Sequence, residues 1–317
     1  MNFRTYDDLT KCIVKNLYKV PHDIDLIVGI PRSGSMVASI LALYLNLPIT
    51  DIDTFIGTGE LRTGSTRKCS GWIKNANEAK HVLVVDDSVS SGKAIREVKE
   101  ILTGKGIACK ITFLAIYSLA VSRMKVDIYF EICEQPRMFE WNYMHHWALK
   151  YCCMDIDGIL CEDPKWWQND DSEKYKNFIL NAPSKFIPTQ KVGKLVSGRL
   201  ESYRAYTEIW LKNNHVEYDE LILMDQITAE QRMLSGRHAA FKAKVYSSCD
   251  AILFFESDYD QALEICRLSG KPVFCIENMN LINSDNVMAK MQVRSKEFKV
   301  TMKRVMRKLI NKIDYVK

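Results

Sequence analysis

The sequence predicts an α/β protein made of two doubly wound parallel-sheet domains. The chain has 317 residues, which is room for two domains of about 100–200 residues each. Short, fully apolar runs typical of buried parallel strands alternate with amphipathic segments typical of helices. This pattern starts afresh at Tyr151, after an aromatic and histidine-rich stretch. We therefore place one domain at residues 1–147 and a second at residues 151–317.

The composition excludes several classes of protein. Hydrophobic residues make up 47% of the chain and charged residues 26%, which is ordinary globular usage and not that of a disordered or collagen-like chain. The ten cysteines form no CxxC pair and mostly lie in apolar runs, so we interpret them as reduced thiols. No apolar run reaches the ~18–20 residues that span a bilayer, and the first residues lack the apolar core of a signal peptide. We expect a cytoplasmic protein.

The positive charge of the chain is concentrated at its C-terminus. The net charge is +5, and residues 290–317 contain ten basic residues against two acidic ones. Apolar residues recur there at steps of three or four, which predicts an amphipathic helix with a cationic face. Packing on the second domain is the commoner explanation for such a helix. The alternative is docking on an anionic membrane surface, which would place the protein at the inner membrane face. Nucleic acid is not expected as a partner, because aromatic residues do not alternate with the basic ones.

The first candidate site lies in the segment HVLVVDDSVSSGKAI. An apolar strand ends in Asp86 and Asp87 and runs through a small-residue turn, Ser88 to Gly92, into a helix. Backbone N–H groups of such a turn, together with the helix dipole, attract a phosphate. Two acids just before the turn can accept the hydroxyl protons of a sugar. The pattern therefore predicts a site for a sugar 5-phosphate, although a capped helix after a buried strand has the same residue types.

With these residues, the stretch 1–147 resembles the type I phosphoribosyltransferases. The segment LIVGIPRSGSMVA resembles the pyrophosphate loop of that family. The polar stretch from Gly57 to Trp72, with Arg62, Arg67 and Lys68, resembles the loop that closes over the diphosphate, and is equally typical of a solvated surface loop.

The resemblance implies that the domain uses 5-phosphoribosyl 1-pyrophosphate (PRPP) with Mg²⁺. Asp86 and Asp87 would bind the ribose hydroxyls, and Arg32 would act in catalysis by neutralising the departing pyrophosphate. The other implied substrate-binding residues form the two loops: Pro31, Ser33, Gly34, Ser88, Val89, Ser90, Ser91, Gly92, Lys93 and Ala94. Two positions depart from the family. Ala94 replaces a hydroxyl residue, and Ser90 stands where purine-salvage members carry an acid.

The acceptor region is expected between Pro136 and His146. One interpretation makes Glu140 or a histidine the base for an acceptor hydroxyl, with Trp141 stacking on a sugar or base. The other interpretation is a domain junction anchored by the tryptophan. The residue types fit both.

The second candidate site lies in the segment YCCMDIDG. Asp155 and Asp157 are two residues apart and leave the strand on the same side, so one can attack phosphorus while the other handles protons. The pattern is also typical of a turn with calcium-like ligands. The later segments KLVSGR, AAFKAKVY and AILFFESDYDQA follow in order. Together these segments resemble the haloacid dehalogenase (HAD) superfamily of phosphatases, from Tyr151 to about Ile282.

This second resemblance implies a set of roles. Asp155 would be the nucleophile, Asp157 the general acid/base, Ser197 a ligand of the phosphoryl group and Lys242 its counter-charge, with Lys244 as the rival lysine. Arg199 would bind substrate, and a Mg²⁺ ion would be held by Asp155, Asp157, Glu256 and Asp260. The segment between the first two motifs is too short for a large cap domain, so a minimal cap is expected.

Together the two resemblances imply a bifunctional enzyme. Ribose 5-phosphate would pass from PRPP to an acceptor, in our interpretation a glycan hydroxyl, with release of pyrophosphate. The 5-phosphate would then be removed through an aspartyl-phosphate, leaving a β-ribofuranosyl group. This arrangement is similar to two-module proteins that add β-ribofuranose to bacterial surface polysaccharides. The alternatives are a nucleobase phosphoribosyltransferase fused to a nucleotide phosphatase, and a PRPP-sensing regulator. A homodimer is compatible with the sequence.

Overall fold

The computed structural model describes residues 1–63, 71–168, 173–225 and 237–296. The chain divides into two compact units, Asn2–Trp141 and Asn142–Lys317. The division falls a few residues before the boundary expected from the sequence. Tyr143 belongs to the second unit because its ring packs against Phe255 and Phe274, with centroids 5.8 and 5.6 Å away.

The N-terminal unit alternates strands and helices. Its strands are β1 (Asn2–Arg4), β2 (Leu26–Gly29), β3 (Ile49–Asp51), β4 (His81–Val89), β5 (Lys110–Ser118), β6 (Ile128–Ile132) and β7 (Arg137–Phe139). Its α-helices are α1 (Tyr6–Asn16), α2 (Ser33–Leu45), α3 (Ile52–Ile56) and α4 (Lys93–Gly104).

Five of these strands form a parallel sheet in the order β3-β2-β4-β5-β6, and β1 pairs in parallel with β7. Alternate residues of the central strands enter different apolar clusters. Ile27 and Leu83 pack with residues of α1 and α2, whereas Val28 and Val84 pack with residues of α3 and α4. Both faces of the sheet are therefore covered by helices, as predicted for a doubly wound domain.

The C-terminal unit has the same alternation. Its strands are β8 (Cys152–Met154), β9 (Val192–Leu200), β10 (Tyr218–Met224), β11 (Leu253–Glu256), β12 (Val273–Cys275) and β13 (Asn280–Ile282). Its α-helices are α5 (Glu173–Asn181), α6 (Arg204–Asn213), α7 (Arg237–Ser247) and α8 (Tyr259–Ser269), and residues 287–296 are also helical.

The six strands of this unit form one sheet in the order β10-β9-β8-β11-β12-β13. All neighbours are parallel except β12 and β13, which are antiparallel. The expectation of a wholly parallel sheet is therefore wrong at this edge. The turn at residues 276–279 is too short for the crossover that parallel strands need. Helices α7 and α8 share an apolar cluster with β11, in which Tyr246, Phe254 and Ile265 are buried.

None of the described helices is both long and apolar enough to cross a bilayer. Residues 297–317, which hold most of the basic tail, lie outside the described residues, as do Arg67 and Lys68 of the expected flexible loop. The predictions made for these segments stay predictions.

Candidate functional sites

The acid pair of the N-terminal unit lies where β4 passes the start of α2. Both carboxylate oxygens of Asp87 accept hydrogen bonds from this unit. The Ser33 hydroxyl donates to Oδ1 at 2.9 Å, and the Trp141 indole N–H donates to Oδ2 at 2.7 Å. The structure thus brings the predicted pyrophosphate loop, which contains Ser33, next to the predicted ribose-binding acids.

Gly34 allows the N-terminus of α2 to approach β4 closely. A Cβ atom at Gly34 would lie 2.6 Å from the carbonyl oxygen of Val85 and 3.1 Å from Cα of Asp86. Any side chain there would push the N-terminus of α2 away from β4. Pro31 and Arg32 precede the helix and are exposed, so the guanidinium group is accessible to a ligand at this edge.

The acid pair holds a proton more tightly than ordinary carboxylates do. Burial raises the pKa of Asp86 to about 8, and the charge of Asp87 adds to the increase. Asp86 also accepts a hydrogen bond from the backbone N–H of Asp87, at 2.9 Å. At neutral pH the pair can therefore offer both a donor and acceptors to neighbouring sugar hydroxyls.

The predicted phosphate loop connects β4 to α4. Ser88 and Val89 end the strand, Ser90 and Ser91 are exposed, Gly92 precedes the helix with φ of +71°, and Lys93 and Ala94 begin α4. The 3₁₀ segment Ala120–Lys125 holds this loop in place through two hydrogen bonds. The Ser122 hydroxyl donates to the carbonyl of Ser90, and Lys125 Nζ donates to the carbonyl of Ser91 at 2.8 Å.

Lys125 was not predicted from the sequence. It ends the segment that follows β5, and because β4 and β5 are parallel neighbours, their carboxyl ends meet at one edge of the sheet. Its ammonium group places a positive charge beside the loop expected to hold a phosphate.

The aromatic side chain of the expected acceptor region is already engaged within the unit. The ring of Trp141 stacks on Phe139, with centroids 4.8 Å apart and planes at 1°, and lies 5.7 Å from the ring of Tyr6. Glu140 accepts the backbone N–H of Tyr6 at 2.8 Å. These contacts indicate that Trp141 positions Asp87, and they give Glu140 a structural role at the start of α1.

The two histidines proposed for the acceptor region belong to the C-terminal unit. A ring nitrogen of His145 lies 2.9 Å from the hydroxyl of Thr189, and His146 accepts the backbone N–H of Ala148 at 3.2 Å. Both contacts are local to that unit.

The second site forms at the carboxyl ends of adjacent strands. Asp155 follows β8, Ser197 lies near the end of β9, and Glu256 ends β11. Because β9, β8 and β11 are neighbours in this order, three segments distant in sequence meet at one edge.

Lys242 from α7 joins this group. Its ammonium nitrogen lies 2.5 Å from Asp155 Oδ2, 2.7 Å from Glu256 Oε2 and 3.1 Å from Gln261 Oε1, and its side chain is almost wholly buried. Burial alone would lower the pKa of Lys242, but the two carboxylates raise it above its usual range. Burial raises the pKa of Glu256 to about 7 despite the lysine. The rival Lys244 is exposed, so Lys242 is the lysine of this site.

Asp157 is paired with Arg199. The fully buried guanidinium donates to both carboxylate oxygens: Nη2 to Oδ1 at 2.6 Å, and Nε to Oδ1 and Oδ2 at 3.2 and 3.1 Å. Burial alone would lower the pKa of Arg199, but the charge of Asp157 raises it. The pair is thus a charge-assisted contact that involves both carboxylate oxygens.

The four residues predicted to hold Mg²⁺ do not converge. Among the described residues, no three His, Cys, Asp or Glu side chains lie close enough together to bind a metal ion. Asp155, Asp157 and Glu256 accept hydrogen bonds from the cations described above. Asp260 instead pairs with Arg294, at 2.9 and 3.1 Å. The side chains do not form a metal site in this conformation, and Mg²⁺ at this position stays a prediction.

A cavity of about 720 Å³ opens over this site. Asp155, Asp157 and Ser197 line it, together with Asp163, Lys185 and His238, which sequence reasoning did not select. Burial raises the pKa of Asp163, and the charges of Asp157 and Asp155 raise it further. His238 could have been found from its spacing, because it lies four residues before Lys242 and therefore on the same helix face.

Comparison with known proteins identifies one of the two units. Residues 4–148 match the phosphoribosyl transferase domain family. The xanthine-guanine-hypoxanthine phosphoribosyltransferase of Helicobacter pylori is 19% identical, over 44% of this chain and 90% of its own, with a TM-score of 0.32. The purine phosphoribosyltransferase of Pyrococcus horikoshii Ot3 is 21% identical, over 44% and 92% of the two chains, with a TM-score of 0.31. No curated protein matches the chain.

The N-terminal half is therefore a type I phosphoribosyltransferase domain. This domain supports an enzyme of the transferase kind that uses PRPP and a small-molecule acceptor.

Proposed function

We propose that the protein is a bifunctional enzyme. Its N-terminal domain transfers ribose 5-phosphate from PRPP to a hydroxyl group of a glycan, releasing pyrophosphate. Its C-terminal unit then removes the 5-phosphate and leaves a β-ribofuranosyl group. The observation that carries the second half of this proposal is the buried contact of Lys242 with both Asp155 and Glu256, at 2.5 and 2.7 Å, beneath an open cavity.

The N-terminal domain has the groups that the transfer needs. The Asp86 and Asp87 pair would bind the ribose hydroxyls, and the N-terminus of α4 with Ser90 and Ser91 would bind the 5-phosphate. Arg32, exposed at the start of α2, would neutralise the departing pyrophosphate. Mg²⁺ carried by PRPP would share that neutralisation. Attack from the face opposite the α-linked pyrophosphate gives a β linkage.

The C-terminal unit has the groups for phosphate-ester cleavage. Lys242 contacts Asp155 Oδ2 and would orient this carboxylate for attack on phosphorus. The Asp155–phosphorus bond forms as the bond from phosphorus to the leaving oxygen breaks. Water then hydrolyses the acyl phosphate, and Ser197 would bind a phosphoryl oxygen in both steps. A Mg²⁺ ion would supply further neutralisation of the phosphoryl charge.

The acceptor is the part of this proposal that an experiment must decide. Ser90 supports a hydroxyl acceptor, because this serine offers no carboxylate to take a proton from a purine nitrogen, and its carbonyl is bound by Ser122. A nucleobase acceptor is the second candidate, since the domain family by itself is equally consistent with it. A PRPP-sensing regulator is the third, and it requires binding without turnover.

The test is incubation of the full chain with PRPP, Mg²⁺ and a panel of glycan acceptors and nucleobases, followed by mass spectrometry. We expect a ribosyl adduct on a glycan and release of both pyrophosphate and phosphate. An adduct on a nucleobase would select the second candidate. PRPP binding with no adduct on any acceptor would leave the regulator.

A further inference from the structure

Two cysteine thiols from distant parts of the chain meet in the C-terminal unit. The sulfur atoms of Cys153 and Cys249 lie 3.8 Å apart, although 96 positions in sequence separate the two residues. Both cysteines are free thiols. A disulfide bond needs about 2.05 Å between its sulfur atoms, so a movement of about 1.8 Å along the line that joins them would bring the pair into bonding distance.

The core of the unit holds this pair together. Cys153 is the middle residue of β8, is fully buried, and is fixed from both sides because β8 pairs with β9 and β11. Cys249 lies two residues beyond α7, and its thiol donates to the carbonyl of Tyr246 at 3.4 Å. Both cysteines pack in the apolar cluster that contains Tyr246 and Phe254. Their proximity is therefore a property of the packed core.

The two thiols differ in their access to solvent. Cys153 is shielded, whereas Cys249 is half-buried and lines a cavity of about 360 Å³. Cys152 and Gly193 also line this cavity, which places it at the amino ends of β8 and β9. Asp155 follows the opposite end of β8. A small oxidant can therefore reach Cys249 without entering the candidate phosphatase site.

We propose that Cys153 and Cys249 form a redox site that closes to a disulfide on oxidation by hydrogen peroxide and stabilises the C-terminal unit. Peroxide oxidises the accessible Cys249 thiol to a sulfenic acid and releases one water molecule. The sulfur of Cys153 then attacks that of Cys249. The S–S bond forms as the S–O bond breaks, and the hydroxide leaves with the Cys153 thiol proton as a second water molecule. A dithiol reductant returns both thiols.

The disulfide would join two elements that carry groups of the candidate site. Cys153 lies two residues before Asp155, and Cys249 follows the helix that carries Lys242, whose ammonium group contacts Asp155 at 2.5 Å. The link also closes a loop of 96 residues, which restricts the unfolded chain. We expect the melting temperature of the C-terminal unit to rise by about 4 °C or more on oxidation.

The test is titration of the full chain with hydrogen peroxide. The remaining thiols are then blocked with N-ethylmaleimide, and the protein is digested with trypsin without reduction. Tandem mass spectrometry must assign the linked sulfurs, because Cys152 and Cys161 lie in the same tryptic peptide as Cys153, and Cys266 lies in that of Cys249. We expect a link between Cys153 and Cys249 together with the higher melting temperature, both reversed by dithiothreitol.

Two variants make the test specific. Cys249→Ser changes a half-buried side chain and should remove both the linked peptide and the peroxide-dependent rise in melting temperature. Cys109→Ser, at a half-buried thiol of the N-terminal unit, is the matched control and should lose neither. The proposal is overturned if Cys249 is oxidised to a sulfinic acid while Cys153 stays reduced, or if either cysteine links to another one. A Cys153–Cys249 link that leaves the melting temperature unchanged or lowers it would also overturn the proposal.

This inference is independent of the phosphatase proposal. The linked peptide and the melting temperature are measured without a substrate. Their outcome therefore stands whether or not the chain hydrolyses phosphate esters, and a chain without phosphatase activity would leave the redox site to be decided by the peptide map alone.

Discussion

Trp141→Phe should weaken PRPP use while leaving the fold of the N-terminal domain intact. The phenyl ring can keep the stacking contact with Phe139, which has a centroid distance of 4.8 Å in the wild type. It cannot donate the 2.7 Å hydrogen bond to Asp87 Oδ2. Asp87 Oδ1 then keeps the hydrogen bond from Ser33, but Oδ2 loses the one from the indole.

The magnitude follows from the type of bond that is lost. A hydrogen bond to a charged group contributes about 1.5–3 kcal/mol. Since about 1.4 kcal/mol corresponds to a tenfold change, we expect the dissociation constant for PRPP, or the KM for pyrophosphate release, to rise by about 10- to 150-fold. The dissociation constant is measured by titration calorimetry, and pyrophosphate release by a coupled assay.

The control is Trp167→Phe, at a half-exposed tryptophan of the C-terminal unit that contacts Trp166 edge to face. It makes the same chemical change away from the acid pair and should leave PRPP affinity unchanged. The positioning role of Trp141 is refuted if Trp141→Phe binds PRPP as tightly as the wild type while Asp87→Asn does not bind it.

Three further predictions concern the two acid sites. Asp155→Asn should let transfer proceed but leave the 5-phosphate on the product, which mass spectrometry would detect as an adduct about 80 Da heavier; a dephosphorylated product would remove Asp155 from the nucleophile role. Burial and the charge of Asp87 raise the pKa of Asp86 to about 8, so the folded wild type holds a proton that the unfolded chain releases near pH 4. The free energy of unfolding of the wild type should therefore fall by up to about 5 kcal/mol between pH 4 and 8. Asp86→Asn removes this titrating group and should reduce that fall. Melting temperatures measured at pH 5 and pH 8 check this, and an equal fall in the variant contradicts it. Gly34→Ala should destabilise the N-terminal domain by about 1–3 kcal/mol and reduce pyrophosphate release, because its methyl group would lie 2.6 Å from the Val85 carbonyl oxygen; Gly104→Ala, with no atom within 4 Å, is the matched control and should not destabilise.

The local pattern of the chain predicted much of the architecture. Apolar runs such as LIVG and HVLVV become β2 and the first part of β4, and the amphipathic segments between the strands become helices on both faces of the N-terminal sheet. The phosphoribosyltransferase domain was also visible in sequence, because the acid pair and the small-residue turn are contiguous and act through backbone geometry. A motif of this kind can be recognised from residues that are adjacent in sequence, without knowing which segments pack together.

The pairing of side chains between distant segments was decided by the tertiary structure. The sequence left Lys242 and Lys244 as rivals, and only the packing of α7 shows that Lys242 is buried against Asp155 while Lys244 is exposed. Asp260 has the spacing of a metal ligand, yet the helix at residues 287–296 brings Arg294 against it.

The contacts of Arg199, Trp141 and His238 were likewise decided by the tertiary structure. The sequence predicted the alternation of buried strands and amphipathic helices, because hydrophobic periodicity and turn chemistry act over a few residues. It did not determine that Arg199 neutralises Asp157, that Trp141 holds Asp87, or that His238 lies over Gly198. These contacts depend on strand order and on helix packing, which arise from burial of the whole core and are not encoded in any short segment.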